Sequence, residues 1–180
     1  MDASNALLTF QTNALGPLLL MKHFSEFLPT KNTALPTEKS SHGDANKPLP
    51  PFATWATMSA RVGSISDNGL GGWYSYRASK AAVNQLVKTF DQYLRISAGE
   101  KAMVIALHPG TVKTDLSKEF WSGVKNDRLF EAEWVAERLV GLMTGHGLKL
   151  KQGLDKSEPR PLGLEARGRC WDWGGNEIAP

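Results

Sequence analysis

Residues 73–82 read Trp73-Tyr74-Ser75-Tyr76-Arg77-Ala78-Ser79-Lys80-Ala81-Ala82, and this stretch decides how the rest of the chain is read. Tyr76 and Lys80 stand four residues apart at the start of an amphipathic run, so on a helix they project from one face. The run predicts a helix over 75–96, with Val83, Leu86, Val87, Phe90, Tyr93 and Leu94 on the apolar side and Lys88, Asp91 and Gln92 elsewhere. A free tyrosine titrates near about 10. A neighbouring ammonium favours phenolate and is expected to lower that value, which makes the pair an acid or a base. Taken alone the spacing is weak, because a tyrosine commonly packs while a lysine extends its ammonium to solvent.

Working outward, Phe52 to Ser59 is a short, mostly apolar run with prolines before it and Gly63 after it, as a buried parallel strand requires. A glycine-rich loop ending in Gly71 and Gly72 joins it to the helix. Beyond the helix, Ala102 to Leu107 is a second apolar run stopped by His108, Pro109 and Gly110. Strand, loop, helix, strand in that order predicts a parallel pair with a right-handed crossover. Further helices are expected over 4–27, broken at Pro17, and over 131–143. Pro17 has no N–H to give the Asn13 carbonyl, which is expected to stay free. Residues 149–168 are polar and irregular, and Arg169 to Trp173 reads as a last strand before the Gly174-Gly175 turn. Residues 30–51 are rich in proline and polar residues, as a solvated, disordered insertion is. Residues 1–180 are thus expected to form one α/β domain.

Composition narrows the function. With 41% hydrophobic and 22% charged residues, 180 residues can bury a core. The 21 Lys and Arg are dispersed among 18 Asp and Glu for a net charge of +3, without the basic stripe of a nucleic-acid binder. One cysteine, Cys170, excludes an intramolecular disulfide and fits a reducing, cytoplasmic setting. No apolar stretch approaches a membrane span. His23, His42, His108 and His146 lack metal-ligand spacing, no Gly-x-Ser-x-Gly occurs, and no metal is expected.

The Tyr-Arg-Ala-Ser-Lys-Ala-Ala run resembles the active-site signature of the short-chain dehydrogenase/reductase superfamily. Three further motifs follow in the family's order: Asn13-Ala14-Leu15-Gly16-Pro17 resembles its asparagine helix, Met58 to Ser64 its serine strand end, and Pro109-Gly110-Thr111-Val112-Lys113-Thr114 its Pro-Gly loop. Ser59-Ala60-Arg61-Val62-Gly63-Ser64-Ile65 with Gly71-Gly72-Trp73-Tyr74-Ser75-Tyr76 is most similar to the branch of the sniffer carbonyl reductases and C-factor signalling proteins. The resemblance implies the C-terminal part of a Rossmann-type doubly wound parallel sheet, N-terminally truncated. It implies NAD(P)(H)-dependent reduction of a small carbonyl compound or oxidation of an alcohol. Tyr76 would exchange the proton, Lys80 would tune it and bind the nicotinamide ribose, and the Asn13 carbonyl would hold a water linked to Lys80. Pro109, Gly110, Val112 and Thr114 would stand beside the nicotinamide.

The serine position departs from the family pattern. Ala60 occupies the place of the substrate-facing serine, which leaves Ser59, expected to point the other way along the strand, and Ser64 on the loop as candidates. The family's Thr-Gly-x-x-x-Gly-x-Gly and Asn-Asn-Ala-Gly motifs are absent from the sequence, and Gly69, Gly71 and Gly72 lack the strand-turn-helix setting of a phosphate site. One edge of the Phe52 strand is therefore expected to lack a partner. The family also implies a homodimer through helices 4–28 and 75–96. The alternative reading is a noncatalytic dimerisation or interaction module that keeps those helices without turnover.

Overall fold

The computed structural model describes residues 2–35, 49–145 and 160–180. Its elements are α1 (Ala3–Phe10), α2 (Gly16–Phe24), β1 (Ala53–Met58), α3 (Tyr74–Ser97), β2 (Ala102–His108), β3 (Thr111–Val112), β4 (Leu129–Phe130), α4 (Ala132–Thr144), β5 (Cys170–Asp172) and β6 (Glu177–Ile178). Strand β2 is central, with residues 102–107 no more than 1% exposed. Its side chains alternate between two cores, as a pleated strand requires. Ala102, Val104 and Ala106 pack with Val83, Val87 and Leu94 of α3. Met103, Ile105 and Leu107 pack with Val135, Leu139 and Leu142 of α4 on the opposite face. Each fully buried valine or leucine contributes about 1.5–3 kcal/mol, so the helices are held to the sheet chiefly by this one strand.

The sheet order is β1-β2-β5-β6. Strands β1 and β2 pair in parallel from Ala53↔Ala102 to Met58↔Leu107, and β5 pairs in parallel on the other side of β2. Helices on both faces of this arrangement make the doubly wound α/β fold expected from the sequence. The final strand is followed by β6, which the sequence reading does not include. Gly175, at φ 79°, turns the chain back so that β6 runs antiparallel to β5. Strand β1 pairs with β2 alone among the described residues, and of its six residues only Thr57 is buried.

Two local features differ from expectation. Asp91, read as lying off the apolar face of α3, is fully buried. It is held by Arg167 Nε at 2.7 Å and Arg95 Nε at 2.9 Å, while Arg167 also donates to the carbonyls of Gly99 and Ala102. The break in the first helix is a π-helical turn, Gln11–Leu15, rather than a kink at Pro17. The Gly16 N–H bonds the Gln11 carbonyl five residues back, and Pro17, which has no N–H to give to the ladder, follows directly where the α-helix resumes. Of the proposed insertion at 30–51, residues 36–48 lie outside the described residues, as do residues 146–159 of the irregular segment.

Among the described residues Arg167 is the buried cation that pairs with Asp91, while Arg95 is half exposed. Arg167→Leu is expected to cost about 3–5 kcal/mol by stranding a buried carboxylate. Urea denaturation would measure this, and adding Asp91→Leu to the same chain should recover much of the loss.

Candidate functional site

The site forms where the π turn meets the first turns of α3. Asn13 Nδ2 donates to Ser79 Oγ at 3.1 Å, and Ser79 Oγ donates to the Tyr76 carbonyl at 2.8 Å. Ser79 is fully buried, so its hydroxyl needs such partners, and the bridge ties Asn13 to the backbone that carries Tyr76. Ser79 lies inside the Tyr76–Lys80 stretch, but nothing in the spacing alone marks it as a link to residue 13.

Lys80 Nζ donates to the Met58 carbonyl at the end of β1, at 3.2 Å, and lies 5.7 Å from the centroid of the Tyr76 ring. Asn13 and Lys80 line one cavity of about 280 Å³ with Thr12, Pro17, Leu20 and residues 55–58 of β1. Gly63 makes room for this lysine: a Cβ there would stand 2.7 Å from the Lys80 carbonyl carbon. Burial pushes the Tyr76 phenol above its usual value and the Lys80 ammonium below its own. The expected lowering of the tyrosine by the lysine is therefore overturned. The ammonium is bound to a backbone carbonyl and lies against the ring, and desolvation outweighs its attraction for phenolate.

The two candidate serines face inward. Ser59 Oγ donates to Asn84 Oδ1 at 2.7 Å and its N–H to the Leu107 carbonyl at 2.8 Å, with the residue 4% exposed. Ser64 is 2% exposed, and its Oγ accepts the Asp67 N–H at 3.0 Å. Both hydroxyls are engaged within the fold, and neither residue lines the Lys80 cavity.

Pro109, Gly110, Val112 and Thr114 form the bend after β2 and do not line that cavity either. Gly110 is needed for packing: its φ is 77°, and a Cβ would stand 2.7 Å from the Phe130 ring and 3.0 Å from Trp173. Val112 pairs with Phe130 across β3 and β4, while Thr114 Oγ1 donates to the Val112 carbonyl at 3.5 Å. His108, at the end of β2, has a buried Nδ1 without a hydrogen-bond partner. Burial, then Arg61, push it down to about 4 against the opposing pull of Asp172.

A largely parallel sheet covered by helices on both faces, with a tyrosine and a lysine at the start of the helix after β1, defines a Rossmann-like α/β protein. No family model matches the chain. It is 34% identical over 116 residues to C-signal of Myxococcus xanthus, covering 64% of this chain and 56% of that protein. A dehydrogenase of Rhodococcus sp. (strain AD45), 1-hydroxy-2-glutathionyl-2-methyl-3-butene dehydrogenase, is 48% identical over 63 residues, covering 35% of this chain and 26% of the relative. The solved carbonyl reductase Sniffer of D. melanogaster superposes with a TM-score of 0.67 at 25% identity, over 100% of this chain and 59% of that one. These likenesses support placing the chain in the short-chain dehydrogenase/reductase superfamily, beside the sniffer carbonyl reductases and C-signal. The chain spans little more than half the length of C-signal and of Sniffer.

A nicotinamide cofactor can be tested against these residues. The cavity beside Lys80 presents an ammonium and an amide side chain, donors suited to the hydroxyls of a ribose. The diphosphate end finds no cradle among the described residues. Side chains at Gly69, Gly71 and Gly72 would meet nothing within 4 Å, and the Gly71 and Gly72 carbonyls are bound by Arg77. No group of three or more metal-ligating side chains occurs among the described residues, and His42 and His146 lie outside them. No described helix is long and apolar enough to cross a membrane.

Between about pH 6.5 and 4, His108 is neutral in the fold and protonated in the unfolded chain, so stability falls as pH falls through that window. The loss should reach roughly 3 kcal/mol. Denaturation across a pH series should show His108→Gln with a flatter profile over the same range.

Proposed function

We propose that the chain carries the proton-transfer half of an NAD(P)(H)-dependent oxidoreductase acting on a small carbonyl compound or alcohol. The observation that carries this reading is the Asn13–Ser79–Tyr76 bridge beside the Lys80 cavity, which joins two separately read motifs in one place. Bound NAD(P)H would supply the hydride to the carbonyl carbon. Tyr76 gives its phenolic proton to the carbonyl oxygen and is reprotonated from solvent. Burial holds the phenol in its protonated form at neutral pH, the form that gives a proton to the carbonyl oxygen in the reduction direction. Lys80 binds the nicotinamide ribose, and Asn13 holds the π turn against α3. Pro109, Gly110, Val112 and Thr114 lie on the bend after β2, outside the Lys80 cavity, and would stand beside the nicotinamide, with Gly110 setting the bend.

We further propose one cytoplasmic domain over residues 1–180 and a homodimer through residues 4–28 and 75–96. Leu7, Leu8, Leu15, Leu18 and Leu20 of the first segment and Tyr93 and Ile96 of the second are exposed, which supports apolar pairing. The same exposure favours a second reading, a noncatalytic interaction module.

Cofactor titration by fluorescence separates the two. Micromolar NAD(P)H binding supports the enzyme, and none up to millimolar rejects it for this chain. With turnover, Tyr76→Phe should lower kcat about 10²–10⁴-fold while leaving cofactor affinity and the circular dichroism spectrum unchanged. Because burial raises Tyr76, carbonyl reduction should persist at least to the ordinary phenol value of about 10, whereas alcohol oxidation should climb steadily toward alkaline pH as phenolate forms. An alkaline loss of reduction well below that value would remove Tyr76 as the acid.

A further inference from the structure

A second cavity, of about 340 Å³, lies between α3 and the β5–β6 hairpin and shares no residue with the Lys80 cavity. Its size is at the lower end of the range that holds small molecules, roughly 300–1,000 Å³. Asn84 and Lys88 of α3 both line it and stand four residues apart, so they project from one face of the helix. Asn84 Oδ1 accepts the Ser59 hydroxyl at 2.7 Å, which orients the amide and leaves its NH2 as the free end. Among the described residues neither that NH2 nor the Lys88 ammonium meets an acceptor.

The acceptors nearest to them are already taken. Glu177 pairs with Arg169 at 2.7 Å, and the Pro180 main-chain oxygen is held by the Ser66 N–H at 3.0 Å and by the Ser66 hydroxyl. Cys170 adds no charge, because burial pushes its thiol up to about 11. The rest of the lining used here is apolar. Ala81 stands one turn before Asn84 on the helix, Ile178 of β6 is buried, and Ile65 of the loop after β1 is exposed at the rim. Two donors side by side over an apolar lining suit a ligand with two acceptor atoms at one end, a negative charge there, and a short apolar body. A carboxylate offers one oxygen to the ammonium and the other to the amide. A phosphate brings three acceptor oxygens, more than these two groups satisfy.

We propose that this cavity is a second binding site, which takes a small monocarboxylate with an apolar tail, its carboxylate on Lys88 and Asn84 and its tail against Ala81 and Ile178. The site needs neither cofactor nor turnover at Lys80, so it goes beyond the oxidoreductase reading and does not rest on it.

Hexanoate and hexanamide share a skeleton and differ in charge, so they isolate the carboxylate. Nitrogen-edited NMR titration of the full chain at low salt should show hexanoate binding about fivefold tighter. The Asn84 side-chain amide and the Ile178 backbone amide should move, and the Asn13 side-chain amide in the Lys80 cavity should not. Lys88→Met keeps an apolar stem and removes the charge, and it should bring the two ligands to within about twofold of one another. Lys88 is exposed and holds no polar partner in the fold, so the circular dichroism spectrum should be unchanged by the substitution. Equal affinity of the unaltered chain for the two ligands overturns the site, as does a preference that survives Lys88→Met. Shifts centred on Asn13, or no binding up to millimolar hexanoate, overturn it equally. Cofactor titration is read separately: its failure leaves this site standing, and the loss of this site leaves the oxidoreductase reading untouched.

Discussion

The packing of α3 on β2 is the constraint from which the site follows. Ser79, Val83, Val87, Asp91 and Leu94 form the buried stripe of the helix, recurring at three and four residues. Once Val83 and Val87 are seated on the central strand, the rotation of the helix is set and so is the direction of every side chain in its first turns. Tyr76 and Lys80 come out beside the end of β1, and Gly63 allows the backbone of β1's loop to approach the helix at Lys80. The two polar members of the stripe cannot be left unpaired. Ser79 finds Asn13 and the Tyr76 carbonyl, and Asp91 finds Arg167 and Arg95. One of these pairings builds the candidate site, and the other pins the C-terminal segment to the start of β2.

Burial also decides the chemistry. A phenol and an ammonium one turn apart would share a proton readily if they met tip to tip in a polar cleft. Here the ammonium is engaged by the Met58 carbonyl, and the loss of solvent around both groups favours their neutral forms. Such a phenol is a proton donor at neutral pH. The same preference for neutrality holds His108 uncharged at the end of β2, although Asp172 pulls the other way.

The glycines divide into those that packing requires and those that a loop requires. Gly63 and Gly110 lie where any Cβ would strike Lys80 or Phe130, so each marks a close approach between elements that frame the site. Gly71 and Gly72 border open space and serve the left-handed entry into α3, which carries Trp73 out to Phe120. A Pro-Gly bend and a Gly-Gly pair look equally like loop punctuation in a sequence, yet one is the floor of an aromatic cluster and the other the lead-in to an exposed ring.

Periodicity was sufficient to read the layout: the strand at Phe52, the long helix from Ser75, the strand at Ala102, the helix at Glu131 and the last short strand all occur within a residue or two of their expected ends. These elements are legible because apolar alternation and helical spacing are local properties. The superfamily was legible as well, since four short motifs stand in a fixed order along the chain. Side-chain partners at long range were not. Which way Ser59 and Ser64 face, why Asp91 is buried, that Ser79 joins Asn13 to Tyr76, and that the π turn replaces a kink all depend on contacts between segments far apart in sequence. The sequence by itself determined the order of strands and helices and the tyrosine–lysine pair on one helical face. Only the tertiary structure decided how much solvent that pair keeps and which groups reach it, because desolvation and close approach are properties of the assembled layers rather than of any one segment.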